Sequence, residues 1–335
     1  MADRAHGVDH RAQVSHAVIH DRDRQPGRII YGDSIESRLL HPSMFADLLR
    51  LWLRSQRDAK SYYLRHIVLG ARDVLARTRR LAGSKRGKQT FLFATGPSMD
   101  KLDPHKIARL RDERGFDVFG INFLLQTELG RIVHPTHYVV SDPAQWTAAM
   151  NEAELAHLDA GEQQRQRDAF RASCLETWAE LERIQPQLFV PIHAVAKTPY
   201  SSVYGFCDAM DLFSDNVTDI LRPLGYRPWT AYKALSIALF LGYDRIYLCG
   251  VDNDSFKSLT VDSENVKRSR YRHFYDPPDE YQDFLSSEPL WRDLYYTALT
   301  FRSLDKFSRH PIVNLDPDSL VDAFPKSHDL DVYRS

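Results

Sequence analysis

From residue 89 onward the chain alternates short apolar bursts with amphipathic or polar stretches. Phe91–Ala94, 116–122, 137–143, Leu188–Ile192, 244–252 and 311–315 are four to nine residues long, mostly apolar, and bounded by turn residues. Continuous apolar runs of this length predict strands buried on both faces of a parallel sheet. Between them lie helical patterns at Lys101–Arg114, Ala144–Asp159, Arg165–Arg183, Thr230–Leu241 and Trp291–Ser308. Gly242 follows Leu241 in the usual position for ending a helix. Strands separated by helices predict an α/β fold with a mostly parallel sheet and flanking helices. Residues 194–225 and 253–282 mix aromatic and turn residues and predict long connections or lids.

The amino-terminal part reads differently. Residues 1–40 are polar, rich in His, Arg and Asp, and lack an apolar signal core; they predict a leader that is cytosolic and partly disordered. Residues 43–83 predict one long helix, with Phe45, Leu48, Leu49, Leu53, Leu64, Ile67 and Val68 among its apolar positions. Arg65, Arg72, Arg77, Arg79, Arg80, Lys85, Arg86 and Lys88 make its second half and the residues just beyond it strongly basic. Such a segment is either a packing helix with a solvated face or a helix lying on an anionic membrane. The expected division is a leader at 1–40, a basic helical extension at 41–88 and an α/β domain at 89–330, with a lid or acceptor segment within 253–290.

Composition narrows the field. The chain has 335 residues and a formal net charge of −1, which gives no global case for nucleic acid. No run of about 18 apolar residues predicts a membrane span. The three cysteines, Cys174, Cys207 and Cys249, are widely spaced, so neither a disulfide framework nor a zinc spacing follows. A cytoplasmic location, with peripheral contact at the inner face of a membrane, fits this composition.

The chemistry is expected at the ends of the strands. Thr95-Gly96-Pro97-Ser98, Asn122, Ser141-Asp142, Gly250 with Asp252, and Asn314 each stand where an apolar run stops. Parallel strands bring such ends to one edge, where ligands bind in open α/β sheets. Gly96 permits a tight turn, and Ser98 offers a hydroxyl. Thr230 opens a helix, as an N-cap and near free N–H groups that attract an anion. Asp142 and Asp252 could hold Mg²⁺, although no paired Asp motif accompanies them. The simpler roles for these residues are turn chemistry and capping.

The four blocks 95–98, 116–122, 141–143 and 238–252 together resemble the bacterial sialyltransferases of glycosyltransferase family 42 and their domain-of-unknown-function 115 kin. The resemblance spans roughly residues 89–325. It implies a Rossmann-like fold of the sialyltransferase GT-A-like variety. It also implies an inverting, metal-independent transfer of a sugar, such as sialic acid or a related nonulosonic acid, from a CMP-linked donor to a cell-surface saccharide or glycolipid. No cofactor beyond the nucleotide-sugar is implied. Carried over by position, Thr95, Gly96, Pro97, Ser98 and Asn122 line the phosphate and ribose. Ser141 and Asp142 sit by the nucleotide, Thr230 contacts the phosphate or donor carboxylate, and Gly250, Asp252 and Asn314 shape the floor, with Ser319 beside them. His273 stands at the family's catalytic histidine; His193 and His137 are weaker candidates. The family has Asn at the positions of Thr95 and Asp142. It has a tyrosine pair near Phe256 and Leu259, and Tyr271, Tyr275 and Arg272 are the nearby donors that replace it. Two other functions stay open: a nucleotide-dependent pyrophosphokinase or phosphotransferase, and a non-catalytic nucleotide-binding module of a glycan-assembly complex.

Overall fold

The alternation of Phe91, Leu92 and Phe93 along one strand sets the architecture. All three are fully buried, yet Phe91 and Phe93 join one hydrophobic cluster while Leu92 joins another. Successive side chains of a strand point to opposite faces, so this strand separates two cores. It is β1 (Gln89–Phe93), an interior strand of a seven-stranded sheet in the computed structural model. The structure describes residues 42–68, 72–150, 152–155, 159–200, 202–211, 214–225, 229–274, 282–286 and 290–332. The leader at 1–40 lies outside them. Residues 50–335 form one compact unit, and the described part of the other unit, 42–49, is the start of the first helix.

The remaining strands of the sheet are β2 (Asp117–Ile121), β3 (His137–Val139), β4 (Gln187–Pro191), β5 (Val203–Phe206), β6 (Arg245–Cys249) and, last in the chain, β10 (Ile312–Asn314). Their order is β10-β6-β1-β2-β3-β4-β5, every pairing parallel. Phe91 stands opposite Val118 on one side and Tyr247 on the other. The chain therefore builds outward from β1 to β5, then returns to place β6 on the other side of β1. The expected α/β fold with a parallel sheet is what the chain adopts.

Helices cover both faces. The Phe91 face packs against Ile107 of α3 (Pro104–Arg114), Leu129 and Val133 of α4 (Glu128–Val133), and Trp178 and Leu181 of α7 (Ala160–Ile184). The Leu92 face packs against α8 (Thr230–Leu241), and α8 is buried almost all round, as its apolar sequence requires. Leu304 of α9 (Leu290–Asp305) and Leu75 of α2 (Arg72–Arg79) complete that face. Burying Phe91, Leu92 and Phe93 contributes about 1.5–3 kcal/mol each.

Three expectations need correction. Residues 43–83 are not one helix. The α-helix α1 ends at Tyr62, a π-helical turn covers Tyr63–Val68, α2 ends at Arg79, and turns come next. The chain leaves the helix there to cap α8: the Gly83 and Lys85 N–H groups donate to the Phe240 and Leu241 carbonyls at 3.0 and 2.8 Å. The last carbonyls of a helix have no partner within it. Basic residues also serve internally. Arg77 donates to the Val203 carbonyl at 2.5 Å, and Lys85 pairs with Asp117 at 2.9 Å.

Within Ala144–Asp159 there are two short helices, α5 (Pro143–Thr147) and α6 (Glu152–Leu155); Ala148, at φ 50°, ends the first. Residues 194–225 contain β5, where a Cβ on Gly205 would meet the Ile192 side chain at 2.5 Å. The segment 253–290 contains a small antiparallel sheet of β7 (Thr260–Val261), β8 (Lys267–Tyr271) and β9 (Gln282–Ser286).

Candidate functional site

Strand order reverses between β1 and β6, and in open parallel sheets the crevice for a ligand lies at such a reversal, beyond the carboxyl ends. Here the two tips are laced together. The Gly96 N–H donates to the Gly250 carbonyl at 2.8 Å. A Cβ on Gly96 would stand 2.5 Å from Asp252 Oδ2 and 2.6 Å from the Gly250 oxygen. Only glycine allows that approach. Gly250 is at φ 73°, and a Cβ on it would strike Met99 at 2.4 Å. Pro97 begins a 3-10 turn to Lys101, which aims the Ser98 N–H at Asp252 Oδ2 at 3.0 Å. The Ser98 hydroxyl donates to the other Asp252 oxygen.

Asp252 is unusual. Burial, followed by the adjoining Asp316 carboxyl, pushes it up to about 7, against the two bonds from Ser98. Asp316 is buried, its Oδ1 accepts from the Asp318 N–H, and its Oδ2 has no hydrogen-bond partner among the described residues. A neighbouring carboxyl disfavours the ionised form of Asp252, in addition to its partial burial. Asp316 is absent from the residues expected at the strand tips. A signal for it exists, since Asp316 lies two residues past the end of β10. Asn314 itself turns inward: its Oδ1 accepts from the Asp316 N–H at 3.1 Å. Ser319 donates to the Val251 carbonyl at 2.6 Å.

Next along the edge, Asn122 follows β2 at φ 51°, a left-handed conformation that Asn tolerates. Its carbonyl accepts from the Tyr138 hydroxyl at 2.7 Å, and its buried Oδ1 has no partner among the described residues. Asn253, beside Asp252, repeats this arrangement with a φ of 53° and an unpartnered buried Nδ2. Asn253 is the second site residue that the strand-tip pattern does not include.

Beyond β3, the Ser141 and Thr230 hydroxyls bond at 2.7 Å, joining the tip of β3 to the start of α8. Trp229, not Thr230, occupies the N-cap and gives no side-chain cap, so Thr230 is the first helical residue. Its hydroxyl is committed to the strand tip because tertiary packing brings Ser141 within reach. Asp142 caps α5, accepting from the Ala144 N–H at 2.9 Å.

His273 reaches this edge through its neighbours. The Phe274 N–H donates to the Thr95 carbonyl at 3.1 Å, and Arg272 pairs with Asp100 at 2.5 Å. The half-exposed His273 is thus held between two anchors at the tip of β1. The Arg272 guanidinium already serves as one of these anchors. Tyr271 ends β8, and Tyr275 lies outside the described residues.

The two weaker histidines separate completely. His137 starts β3 at the opposite, amino edge, buried, with its ring 4.6 Å from that of Phe119; burial holds it down to about 3. His193 follows β4 at the carboxyl edge. Its Nδ1 bonds the Tyr62 hydroxyl at 2.8 Å, and burial lowers its pKa from the ordinary histidine value. Behind it, Lys233 pairs with Asp208 at 2.7 Å. Strands about 4.8 Å apart place His193 roughly 14 Å from the β1 tip, so it belongs to the far end of the crevice.

The carboxyl edge therefore gathers Thr95, Gly96, Pro97, Ser98, Asn122, Ser141, Asp142, Thr230, Gly250, Asp252 and Asn314 along neighbouring strand tips. No family model matches the chain. No curated protein matches it either. Among solved structures it is similar to the sialyltransferase CST-II in complex with a trisaccharide acceptor and CMP, at 14% identity and a TM-score of 0.37, over 74% of this chain and 89% of that one. It is similar as well to the sialyltransferase CstII from Campylobacter jejuni in complex with a substrate analogue, cytidine-5'-monophosphate, at 14% identity and a TM-score of 0.36, over 72% and 85%.

Proposed function

We propose that this edge binds the nucleotide half of an activated sugar and transfers the sugar to a saccharide hydroxyl. One observation carries the reading. At the strand-order reversal, Gly96 and Gly250 bring two backbones into contact, and Ser98 is locked onto a carboxyl pair, with unpartnered Asn122 and Asn253 atoms close by. Buried polar atoms without partners cost about 1–3 kcal/mol each, and a nucleotide's hydroxyls and amine are suitable partners. A phosphate fits near the start of α8, where the Thr230 and Ala231 N–H groups point along the helix axis toward an anion.

In the transfer, the acceptor oxygen attacks the anomeric carbon while the bond from that carbon to the phosphate oxygen breaks. The bonding pair leaves with the nucleotide phosphate, and the acceptor proton passes to a base. His273 is that base in this reading, because imidazole takes a proton near neutrality and this residue stands at the β1 tip. Hydroxyl and N–H donors steady the departing monophosphate, whose charge is smaller than that of a diphosphate. CMP-linked sugars are the preferred donors, and the resemblance of the four sequence blocks points the same way. A surface saccharide or glycolipid is the acceptor class.

Purified protein incubated with CMP-, UDP- and GDP-sugars, with and without EDTA, tests this. The expected result is release of one nucleotide, unaffected by EDTA, from the CMP class. His273→Ala is expected to lower turnover at least about 100-fold while nucleotide affinity stays unchanged. Absence of binding to every nucleotide tried would overturn the site; turnover near wild type in His273→Ala would remove the base.

A further inference from the structure

The carboxyl end of α8 borders a second concavity, at the end of the sheet opposite the candidate site. It is a cavity of about 700 Å³ whose lining includes Tyr63, Arg79, Arg86, Arg222, Leu239 and Phe240. Asp219 also lines it and pairs with Arg222 at 3.3 Å. Three guanidinium groups against one carboxylate leave an excess of two positive charges.

Arg79 and Arg86 have no side-chain partner among the described residues. Arg86 is exposed, and its stem runs close to two glycines. A Cβ on Gly83 would lie 3.2 Å from Arg86 Nε, and one on Gly242 would lie 3.4 Å from Arg86 Cγ. The side chain therefore lies across two glycine backbones that the capping of α8 has already fixed. An arginine fork lacking a carboxylate partner suits a phosphate oxygen pair.

The lining also has an apolar part, with Ala82, Leu221, Leu239 and Phe240. Leu239 and Phe240 are half-exposed, and Tyr63 belongs to the π-helical turn that also presents Leu64 and Val68 to solvent, 55% and 39% exposed. A small phosphorylated metabolite has no use for such a surface. A phosphate carried on an apolar tail uses both halves. Among the described residues no helix is long and apolar enough to cross a membrane, so this contact is peripheral.

We propose that the α8 carboxyl-end cavity takes the headgroup of an anionic phospholipid, with Arg79 and Arg86 on the phosphate and Tyr63, Leu64 and Val68 against the acyl boundary. This site is independent of the sugar-transfer reading. It also differs from a general attraction of basic residues to membranes, because it names two arginines among many.

The test uses the full chain and sedimentation with phosphatidylcholine vesicles, with or without phosphatidylglycerol. Binding is expected only with phosphatidylglycerol and is expected to weaken with salt. The pair Arg79→Gln and Arg86→Gln is expected to reduce binding about 25-fold, from about fivefold for each near-surface charge. The pair Arg109→Gln and Arg114→Gln removes the same charge from the exposed side of α3 and is expected to change binding less than about twofold. Leu64→Asp is expected to weaken binding with both arginines present. Circular dichroism and melting of each variant check that it is folded. Equal losses from the two arginine pairs would overturn the proposal. So would stabilisation by glycerol phosphate without vesicle binding, which would identify a soluble ligand.

Discussion

The two ends of the same sheet treat the same residue type in opposite ways. At the amino edge, Asp117 starts β2 and receives the Tyr243 hydroxyl at 2.6 Å and the Lys85 ammonium at 2.9 Å. Burial alone would raise its pKa, but these two bonds outweigh it and hold the carboxyl below its ordinary value. At the carboxyl edge, Asp252 has a carboxyl for a neighbour instead of a cation, and burial drives it up to about 7. The amino edge is a closed clasp. Its unpartnered atoms, His137 Nε2 and Gln187 Oε1, belong to residues directly opposite each other on β3 and β4. The carboxyl edge keeps open positions at Asn122, Asn253 and Asn314. Both ends keep unpartnered buried atoms; what separates them is that one carboxyl faces a cation and the other faces a second carboxyl.

Breaking the clasp should have the largest effect on stability. Lys85→Met leaves the Asp117 carboxylate without its cation, and a loss of about 3 kcal/mol is expected in urea unfolding at neutral pH. Nucleotide binding by the protein that remains folded should be unchanged. A loss below about 0.5 kcal/mol would mean that the clasp does not hold the fold.

Gly96→Ala acts at the other end. The added methyl collides with Asp252 and the Gly250 carbonyl, and relieving such a clash costs about 1–3 kcal/mol. Calorimetry should show nucleotide affinity falling roughly tenfold or more, with a smaller change in melting than Lys85→Met gives. A variant that binds normally would dissociate the reversal point from the ligand.

Acidity distinguishes the two carboxyls by sign. The raised pKa of Asp252 contributes stability that is fully present below about pH 4, the ordinary carboxyl range, and is lost as pH rises through about 7. Asp117, held low, contributes stability above its ordinary pKa that is lost as pH falls. Asp316→Asn should make the decline between about pH 4 and 7 shallower without removing it, because burial is the larger cause of the raised Asp252 pKa, while leaving the acid limb in place. An unchanged profile would show that the Asp316 carboxyl does not raise that of Asp252. In the same window, nucleotide phosphate should bind more weakly as Asp252 ionises. Thr230→Val is the mildest change. It removes one hydroxyl bond to Ser141, worth about 1 kcal/mol, and should weaken anion binding without altering the clasp.

Much of the sheet was legible because its strands are continuous apolar runs. Phe91–Ala94 and 244–252 could hardly be anything else, and a parallel sheet brings their ends to one edge whatever the details. β5 was not legible. It is four residues long, contains Gly205, and lies at the edge of the sheet, where burial imposes less pattern. The break in the long amino-terminal helix was also hidden. After α2 the chain turns away to give N–H donors to the last carbonyls of α8, more than 150 residues later, and local sequence carries no trace of that contact.

At the site, the glycines and Ser98 announced themselves by type and position. Asp316 and Asn253 did not, since Asp and Asn in turns are common. Thr230 looked like a cap because most hydroxyl residues at helix starts are caps; Ser141 claims it instead. The sequence alone determined the strands, their parallel arrangement and the polar character of their tips, because periodicity and burial are local properties. The tertiary structure alone decided which carboxyl faces a lysine and which faces another carboxyl. That difference depends on a few ångströms between residues far apart in the chain, and it makes one edge a clasp and the other a candidate site.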